Sequence, residues 1–210
     1  MSPKSAQLAA LVIALMLLVG GESASASDQP LVRSLLEMRH DNVVIQNWDL
    51  SCGAAALATI LNFQHGDFVS ERTIATRLMA RSEYLENPII VQIRQGFSLL
   101  DLKRFVDGRG YNGIGLGGLQ LEHLVERAPV IVPINTHGYQ HFVVFRGVLG
   151  NRVLVADPAF GNRTMLRSEF ERAWLEVNEI GHVGFVVERR DGLMPPNRLE
   201  PKPADFVTFN

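Results

Sequence analysis

The stretch QNWDLSCGAAALATIL, residues 46–61, decides the fold of this 210-residue chain. At Cys52 it changes from a polar turn to a run of alanine and aliphatic residues, most of which are strong helix formers. Because the run is apolar on every side, it predicts a buried central helix. Cys52 would open this helix, where unpaired N–H groups and the helix dipole stabilise a thiolate. A free cysteine is also a common small core residue, so position alone leaves a catalytic and a structural interpretation open.

The first 26 residues have the layout of a secretory signal peptide. Lys4 supplies a positive charge, residues 8–19 form a 12-residue apolar run, and Ala24-Ser25-Ala26 matches a small-x-small cleavage site. The run is short for a membrane span, although an uncleaved anchor is an alternative. We therefore expect an exported, periplasmic protein with no stable membrane span once the signal is removed.

The composition of the chain excludes several classes of protein. Apolar residues make up 47% and charged residues 20%, and the formal net charge is -2 without a basic cluster. These values are typical of a globular domain and favour neither nucleic acid nor an anionic membrane as a partner. With a single cysteine and no H-E-x-x-H motif, we expect no metal and no cofactor. In an exported protein a lone thiol cannot form an internal disulfide, and its presence needs another reason.

Beyond the cysteine run, helical signals give way to strand signals. Helices are predicted at residues 70–81, 98–107, 120–127 and 168–174, and β-branched strands at 130–134, 142–145, 153–156 and 183–187. We expect a signal peptide at 1–26, one domain at 27–190 and a proline-rich tail with little structure at 191–210. The predicted class is α+β with two lobes. A helical N-terminal half carries Cys52, and a cleft separates it from an antiparallel, strand-rich half.

Three polar residues stand where they could act on Cys52. His141 heads an apolar strand that would hold its ring rigidly, whereas the competing His137 lies in the preceding turn. Asp157 ends the next strand and could orient the ring of His141 and support its protonated form. Gln46 could add its amide to the Cys52 backbone N–H as a second donor for a developing oxyanion. Taken singly, these are equally a turn histidine, an Asp-Pro turn and an exposed glutamine, but together they indicate a catalytic site.

These motifs resemble those of a known family. Gln46-x5-Cys52-Gly-Ala-Ala, His141-Phe-Val-Val and Ala-Asp157-Pro are similar to the active-site motifs of the bacteriocin-processing, double-glycine leader peptidases. That family consists of papain-like cysteine peptidases, so the resemblance implies a papain-like two-lobe fold with a central cysteine helix packed on an antiparallel sheet. It also implies a role for each residue. Cys52 is the nucleophile, His141 the acid and base, Asp157 the orienting residue and Gln46 the oxyanion donor.

The chain also departs from the best-known members of that family. It has a predicted signal peptide and no G-x-x-x-x-G-K-[ST] phosphate loop, which favours the stand-alone exported members, including the periplasmic peptidases of functional-amyloid (Fap) secretion systems. The resemblance implies a cysteine endopeptidase of the cell envelope that cuts an exported protein or peptide after a small pair such as Gly-Gly. Three alternatives stay open: a silent substrate-binding or chaperone module of the same fold, an acyl transferase with the same triad, and a structural envelope protein with a chance cysteine.

Overall fold

The computed structural model describes residues 34–136 and 138–206. The predicted signal peptide, the competing His137 and the last four residues lie outside the described residues. Among the residues that are described, no helix has both the length and the apolar character needed to cross a membrane.

Helices dominate the first half of the described chain. They are α1 (Leu35–Arg39), α2 (Cys52–Thr59), α3 (Glu71–Met79), α4 (Ser82–Glu86), α5 (Ile89–Ile93) and α6 (Leu99–Asp107), and a π-helical segment (Ile60–Gln64) extends α2. All residues of α2 are buried, which confirms the predicted central helix. The two serines that signal helix starts in the sequence are N-caps. Ser70 Oγ accepts a hydrogen bond from the Thr73 N–H, and Ser98 Oγ accepts one from the Asp101 N–H.

A six-stranded antiparallel sheet forms most of the second half. In chain order the strands are β1 (Tyr111–Leu116), β2 (Val130–Thr136), β3 (Tyr139–Leu149), β4 (Arg152–Asp157), β5 (Gly161–Leu166), β6 (Glu176–Val177), β7 (Gly181–His182) and β8 (Gly184–Arg189). The large sheet has the order β1-β8-β2-β3-β4-β5, while β6 and β7 pair separately. Two helices, α7 (Leu121–Arg127) and α8 (Arg167–Ala173), lie between strands in the chain.

Helices cover both faces of the large sheet. On one face, α2, α3 and α6 share a hydrophobic core with Ile131 and Val144. On the other face, α7 and α8 pack on Val130, Val132 and Phe145. Side chains alternate between the faces of a strand, so the near-continuous apolar runs of β2 and β3 serve both cores. The predicted α+β class, with a cysteine helix packed on an antiparallel sheet, is confirmed.

Some segments differ from the sequence-based prediction. β1 and β5 are strands that the sequence did not predict, and they form the two edges of the large sheet. Residues 43–45 are all β-branched, yet they join no strand. The backbone here is bonded elsewhere: the Val44 N–H donates to Thr59 Oγ1 at 2.9 Å, and the Gln46 N–H, two residues on, donates to the Pro158 carbonyl at 2.8 Å. The cysteine stretch therefore begins against the turn that follows β4.

The tail after Arg190 contains one short element within residues 191–206, a 3-10 helix at Pro203–Phe206. It is nevertheless packed on the domain, because Leu199 is fully buried. The buried Arg146 donates from Nε to the Leu199 carbonyl at 3.0 Å and pairs through Nη2 with Asp205 at 3.1 Å. Residues 191–206 thus contain little regular structure and are nevertheless held against the sheet.

Candidate active site

Cys52 is the first residue of α2 and is 3% exposed. Burial raises the pKa of the Cys52 thiol, while backbone N–H groups of Phe142 and Gly53 donate to the sulfur and act in the opposite direction. The negative charge of Asp157 adds to the increase. The helix N-terminus therefore does not by itself make Cys52 a thiolate, and the thiol needs a nearby base.

Gly53 explains how close α2 lies to the sheet. A Cβ atom at this position would lie 3.2 Å from the ring of Phe142 on β3, which is tighter than ordinary packing. The glycine therefore serves the contact between helix and strand, which brings Cys52 up to the start of β3.

His141 and Asp157 form a buried pair at adjacent strands. His141 Nε2 lies 3.1 Å from Asp157 Oδ2, and neither side chain is exposed to solvent. Burial favours the neutral carboxylic acid, but the His141 hydrogen bond and the charges of His141 and Arg163 outweigh it, so the pKa of Asp157 is lowered. The carboxylate thus accepts the Nε2 proton of His141 and leaves Nδ1 available.

Nδ1 is the ring nitrogen of His141 that Asp157 does not occupy. It is buried and has no hydrogen-bond partner in the described part of the chain. Cys52 and His141 line the same cavity, whose volume is about 300 Å³. The cavity lies between the helical half, which contributes Gly96 and Phe97, and the sheet. It therefore occupies the predicted position between the two halves.

Gln46 also lies at this site. Its Nε2 donates to the Trp48 carbonyl at 3.3 Å, and its Oε1 is buried without a partner among the described residues. A side-chain amide has two N–H donors, so one remains after the bond to Trp48. The side chain lies beside the hydroxyl of Tyr139, whose pKa is raised by burial and by the nearby Cys52, while Gln46 acts in the opposite direction. The structure thus brings together all four residues singled out in the sequence.

A buried carboxyl group holds the turn between Gln46 and Cys52. Glu71, at the start of α3, is 2% exposed and accepts hydrogen bonds from the Asn47 N–H at 3.0 Å and from Asn47 Nδ2 at 2.9 Å. It also contacts the hydroxyl of Ser51, the residue before the cysteine. In the sequence Glu71 is an ordinary acidic residue in the first turn of a helix, and no local signal reveals this role.

Two further residues of the site were missed by sequence reasoning. Tyr139 stacks on His141, with ring centroids 4.8 Å apart and an interplanar angle of 29°. Arg163 Nη2 lies 2.8 Å from Asp157 Oδ2. Tyr139 shares a strand face with His141, so alternation along β3 could have suggested it. Arg163 depends on the pairing of β5, a strand that was not predicted.

A cysteine at the start of a buried helix, sharing a cavity with a histidine–aspartate pair on an antiparallel sheet, defines the papain-like class of cysteine peptidase folds. Within that class, the chain belongs to the Peptidase C39 family, whose family model matches residues 40–178. The resemblance inferred from the motifs is thereby confirmed.

Two curated relatives carry the name "Probable functional amyloid protease FapD". The protein of Pseudomonas aeruginosa (strain PAO1) is 40% identical over 145 residues, which are 68% of this chain and 61% of the relative. The protein of Pseudomonas fluorescens is 35% identical over 143 residues, with the same shares of 68% and 61%. This chain thus spans about three fifths of the length of these relatives.

Solved structures agree on the fold. A double glycine motif protease from an AMS/PCAT transporter, in complex with the leader peptide, has a TM-score of 0.53 and 22% identity, covering 70% of this chain and 90% of that chain. The peptidase domain of Streptococcus ComA, a bi-functional ABC transporter involved in a quorum sensing pathway, has a TM-score of 0.55 and 17% identity, covering 70% and 98%. At these identities the likeness shows a common fold alone.

Proposed function

We propose that this chain is a cysteine endopeptidase of the cell envelope that cuts an exported protein or peptide in support of a secretion or functional-amyloid system. The observation that carries the proposal is the buried pair of His141 and Asp157 at the cavity that Cys52 lines, with Nδ1 of His141 left without a partner among the described residues. Membership of the Peptidase C39 family and the printed name of the Pseudomonas relatives support it.

The reaction begins with proton transfer from Cys52 to Nδ1 of His141. Because burial raises the pKa of the thiol, this transfer is what supplies the thiolate. The sulfur then attacks the scissile carbonyl carbon, and the oxyanion accepts hydrogen bonds from the Cys52 backbone N–H and the free N–H of Gln46. Asp157 holds Nε2 and supports the imidazolium throughout.

Collapse of this intermediate breaks the peptide bond. His141 gives its proton to the leaving amine, and the acyl group stays on Cys52 as a thioester. A water molecule then loses a proton to Nδ1 and attacks the thioester carbonyl. Expulsion of the thiolate releases the acid product and restores the starting site.

The substrate is proposed to carry a pair of small residues before the cut. The resemblance of the motifs to those of double-glycine leader peptidases supports this, as does a likeness in fold to a double glycine motif protease. Peptides with Gly-Gly should be cut faster than matched peptides with Leu-Leu. Equal rates would remove the small-residue preference and leave the peptidase proposal standing.

Cleavage by the intact protein is the direct test. The wild type and the variants Cys52→Ala and His141→Ala are incubated with peptides from exported proteins whose genes neighbour that of this protein. The products are identified by mass. We expect hydrolysis by the wild type, with one water added across the cut bond, and none by either variant. Products joined to an added amine would indicate acyl transfer. Full cellular function of Cys52→Ala would indicate a binding module.

Export belongs to the same proposal. Removal of residues 1–26 would deliver the domain to the periplasm, as the layout of the N-terminal sequence supports. Fractionation of a bacterial host followed by N-terminal sequencing tests this. A mature chain that begins at Ser27 in the periplasmic fraction is expected, and an uncleaved chain in the membrane fraction would contradict it.

A further inference from the structure

The carboxylate of Asp157 has more partners than the histidine it orients. Oδ2 is shared by His141 Nε2 at 3.1 Å and Arg163 Nη2 at 2.8 Å, and Oδ1 accepts a hydrogen bond from the Ala159 N–H at 2.9 Å. The Arg163 contact is an ion pair without an aligned N–H···O hydrogen bond. A buried carboxylate thus lies between two cationic or potentially cationic groups.

The pairing of β4 and β5 puts Arg163 in this position. Asp157 is opposite Gly161 and Val155 is opposite Arg163, so residues 157 and 163 project from the same face of the sheet. The guanidinium lies over the ring of Phe160, with 5.5 Å from its central carbon to the ring centroid. The Arg163 side chain is 24% exposed, which partly shields its charge from water.

The charged and titratable groups around Asp157 come from three elements. His141 and Tyr139 belong to β3, Arg163 belongs to β5, and Cys52 belongs to α2. On its other side, Arg163 borders a second cavity of about 450 Å³, to which α8 contributes Glu169 and Arg172. Arg163 is thus the permanent cation that directly contacts the carboxylate.

This permanent charge matters because the charge of His141 changes during the proposed reaction. In each cycle the ring gains a proton from Cys52 and passes it on. When the ring is neutral, a buried carboxylate with no other cation would be poorly compensated. The guanidinium supplies a constant counter-charge, so Asp157 remains an acceptor for Nε2–H in both states of the ring.

We propose that Arg163 is a positioning residue of this site, which keeps Asp157 ionised and thereby holds His141 with Nδ1 free for Cys52. The inference rests on the proposed function, and it extends the series Cys52, His141 and Asp157 by one side chain. Arg163 acts through Asp157 and touches neither the thiol nor the scissile bond.

The test compares two variants of Arg163 with a matched control. Arg163→Met removes the charge and keeps a long apolar chain, whereas Arg163→Lys keeps the charge. Arg172→Met is the control, because Arg172 borders the same cavity and makes no ion pair with Asp157 among the described residues. The measurements are kcat and KM on a cleaved peptide, the pH dependence of Cys52 alkylation by iodoacetamide, and the melting temperature.

We expect Arg163→Met to lower kcat by about tenfold to a hundredfold with little change in KM, because ring orientation is lost and substrate contacts are not. The acid limb of the alkylation profile should move to higher pH, since a buried carboxyl without its cation takes up a proton at higher pH. Arg163→Lys should keep most of the wild-type kcat and an alkylation profile close to that of the wild type. Arg172→Met should change neither quantity. In an Asp157→Asn background, Arg163→Met should have no further effect.

An unchanged kcat and pH profile in Arg163→Met would overturn the inference. A fall in kcat that parallels a fall in melting temperature, is not recovered by Arg163→Lys and persists in the Asp157→Asn background would also overturn it. That is the behaviour expected of an arginine that only supports the fold. If the methionine variant does not fold, Arg163→Gln takes its place. Alkylation needs no substrate, so a wild type that cleaves nothing would contradict the proposed function while the profiles still decide the role of Arg163.

Discussion

At the scale of single residues, the reactivity of the site depends on how the buried thiol of Cys52 loses its proton. Burial and the charge of Asp157 raise the pKa of Cys52, and the N–H donors of Phe142 and Gly53 compensate in part. A base in the same cavity is therefore required if Cys52 is to react near neutral pH. His141 meets that requirement, because Asp157 occupies Nε2 and leaves Nδ1 for the thiol.

The dependence of the thiol on His141 can be measured by alkylation. Wild-type Cys52 should react with iodoacetamide well below about pH 8.5, where an ordinary free thiol becomes a thiolate. In His141→Ala the raised pKa of the thiol is no longer offset by a base, so the reaction should become appreciable only above that pH. His40→Ala, at an exposed histidine after α1, should match the wild type. Identical profiles for wild type and His141→Ala would show that the histidine does not act on the thiol.

Gln46 can be separated from thiol activation by comparing two reactions. Gln46→Ala should lower kcat for peptide cleavage by about 100- to 1000-fold, as expected for loss of one oxyanion donor. Alkylation by iodoacetamide forms no oxyanion, so its rate should change little. A parallel loss in both reactions would mean that Gln46 supports the thiol or the turn, and the oxyanion role would have to be abandoned.

At the scale of elements, the turn before α2 determines whether Gln46 and Cys52 meet. Leu50 in this turn has φ at 67°, an unfavourable conformation for a residue with a side chain. Glu71 on α3 holds the turn through Asn47 and Ser51. The active-site turn is therefore braced by a helix that contributes no residue to the proposed chemistry.

Removing this brace should affect stability and activity together. Glu71→Ala removes a buried acceptor that binds the Asn47 N–H, the Asn47 side-chain amide and the Ser51 hydroxyl, at a cost of about 1–3 kcal/mol in the free energy of unfolding. Glu71→Gln keeps one acceptor oxygen and should lose less. Urea denaturation gives the stability, and kcat on a cleaved peptide reports the position of Gln46. An alanine variant as stable as the wild type would contradict the bracing role.

The elements that could be predicted from sequence are those with local signals. α3 and α6 begin at serine N-caps, α2 is uniformly apolar, and β3 and β4 contain β-branched runs. β1 and β5 could not be predicted, because YNGIGL and GNRTML mix glycine and polar residues with few β-branched ones. An edge strand has one neighbour and tolerates such a sequence.

The same distinction applies to the site. Cys52, His141 and Asp157 could be singled out as candidates because each stands at or near an end of its element, where residue type and position carry information. Arg163 could not, because its contact with Asp157 depends on the register between β4 and β5. Glu71 could not, because its partners lie 20 to 24 residues away in the chain.

At the scale of the whole molecule, the tail links the two halves of the domain. The Asn197 N–H donates to the Gln64 carbonyl at 2.9 Å and the Arg198 N–H to the Phe63 carbonyl at 2.7 Å, both at the end of the cysteine helix. The Leu199 carbonyl then accepts a hydrogen bond from Arg146 Nε on β3. The tail is thus attached to the helical half and to the sheet, on elements that also position the site.

The buried leucine of the tail tests this link. Leu199→Ala should cost about 2–5 kcal/mol in the free energy of unfolding, as expected for truncation of a fully buried leucine. Leu193→Ala is the matched control, because Leu193 is 63% exposed and its truncation should stay within about 0.5 kcal/mol. The measurement is the urea midpoint at constant m-value. Equal midpoints for the two variants would mean that the tail adds nothing to the fold.

The burial of Cys52 also affects which reagents can oxidise its reduced thiol. A thiolate attacks oxidants and the disulfides of other proteins, and this reaction needs open access to the sulfur. A sulfur that is 3% exposed offers little access to the surface of another folded protein, although a small reagent that enters the cavity can reach it. An unfolded chain lying along the cavity meets no such barrier. The walls of the site thus admit an extended substrate and exclude folded proteins, so we expect Cys52 to form few mixed disulfides with folded partners if the chain is exported as proposed.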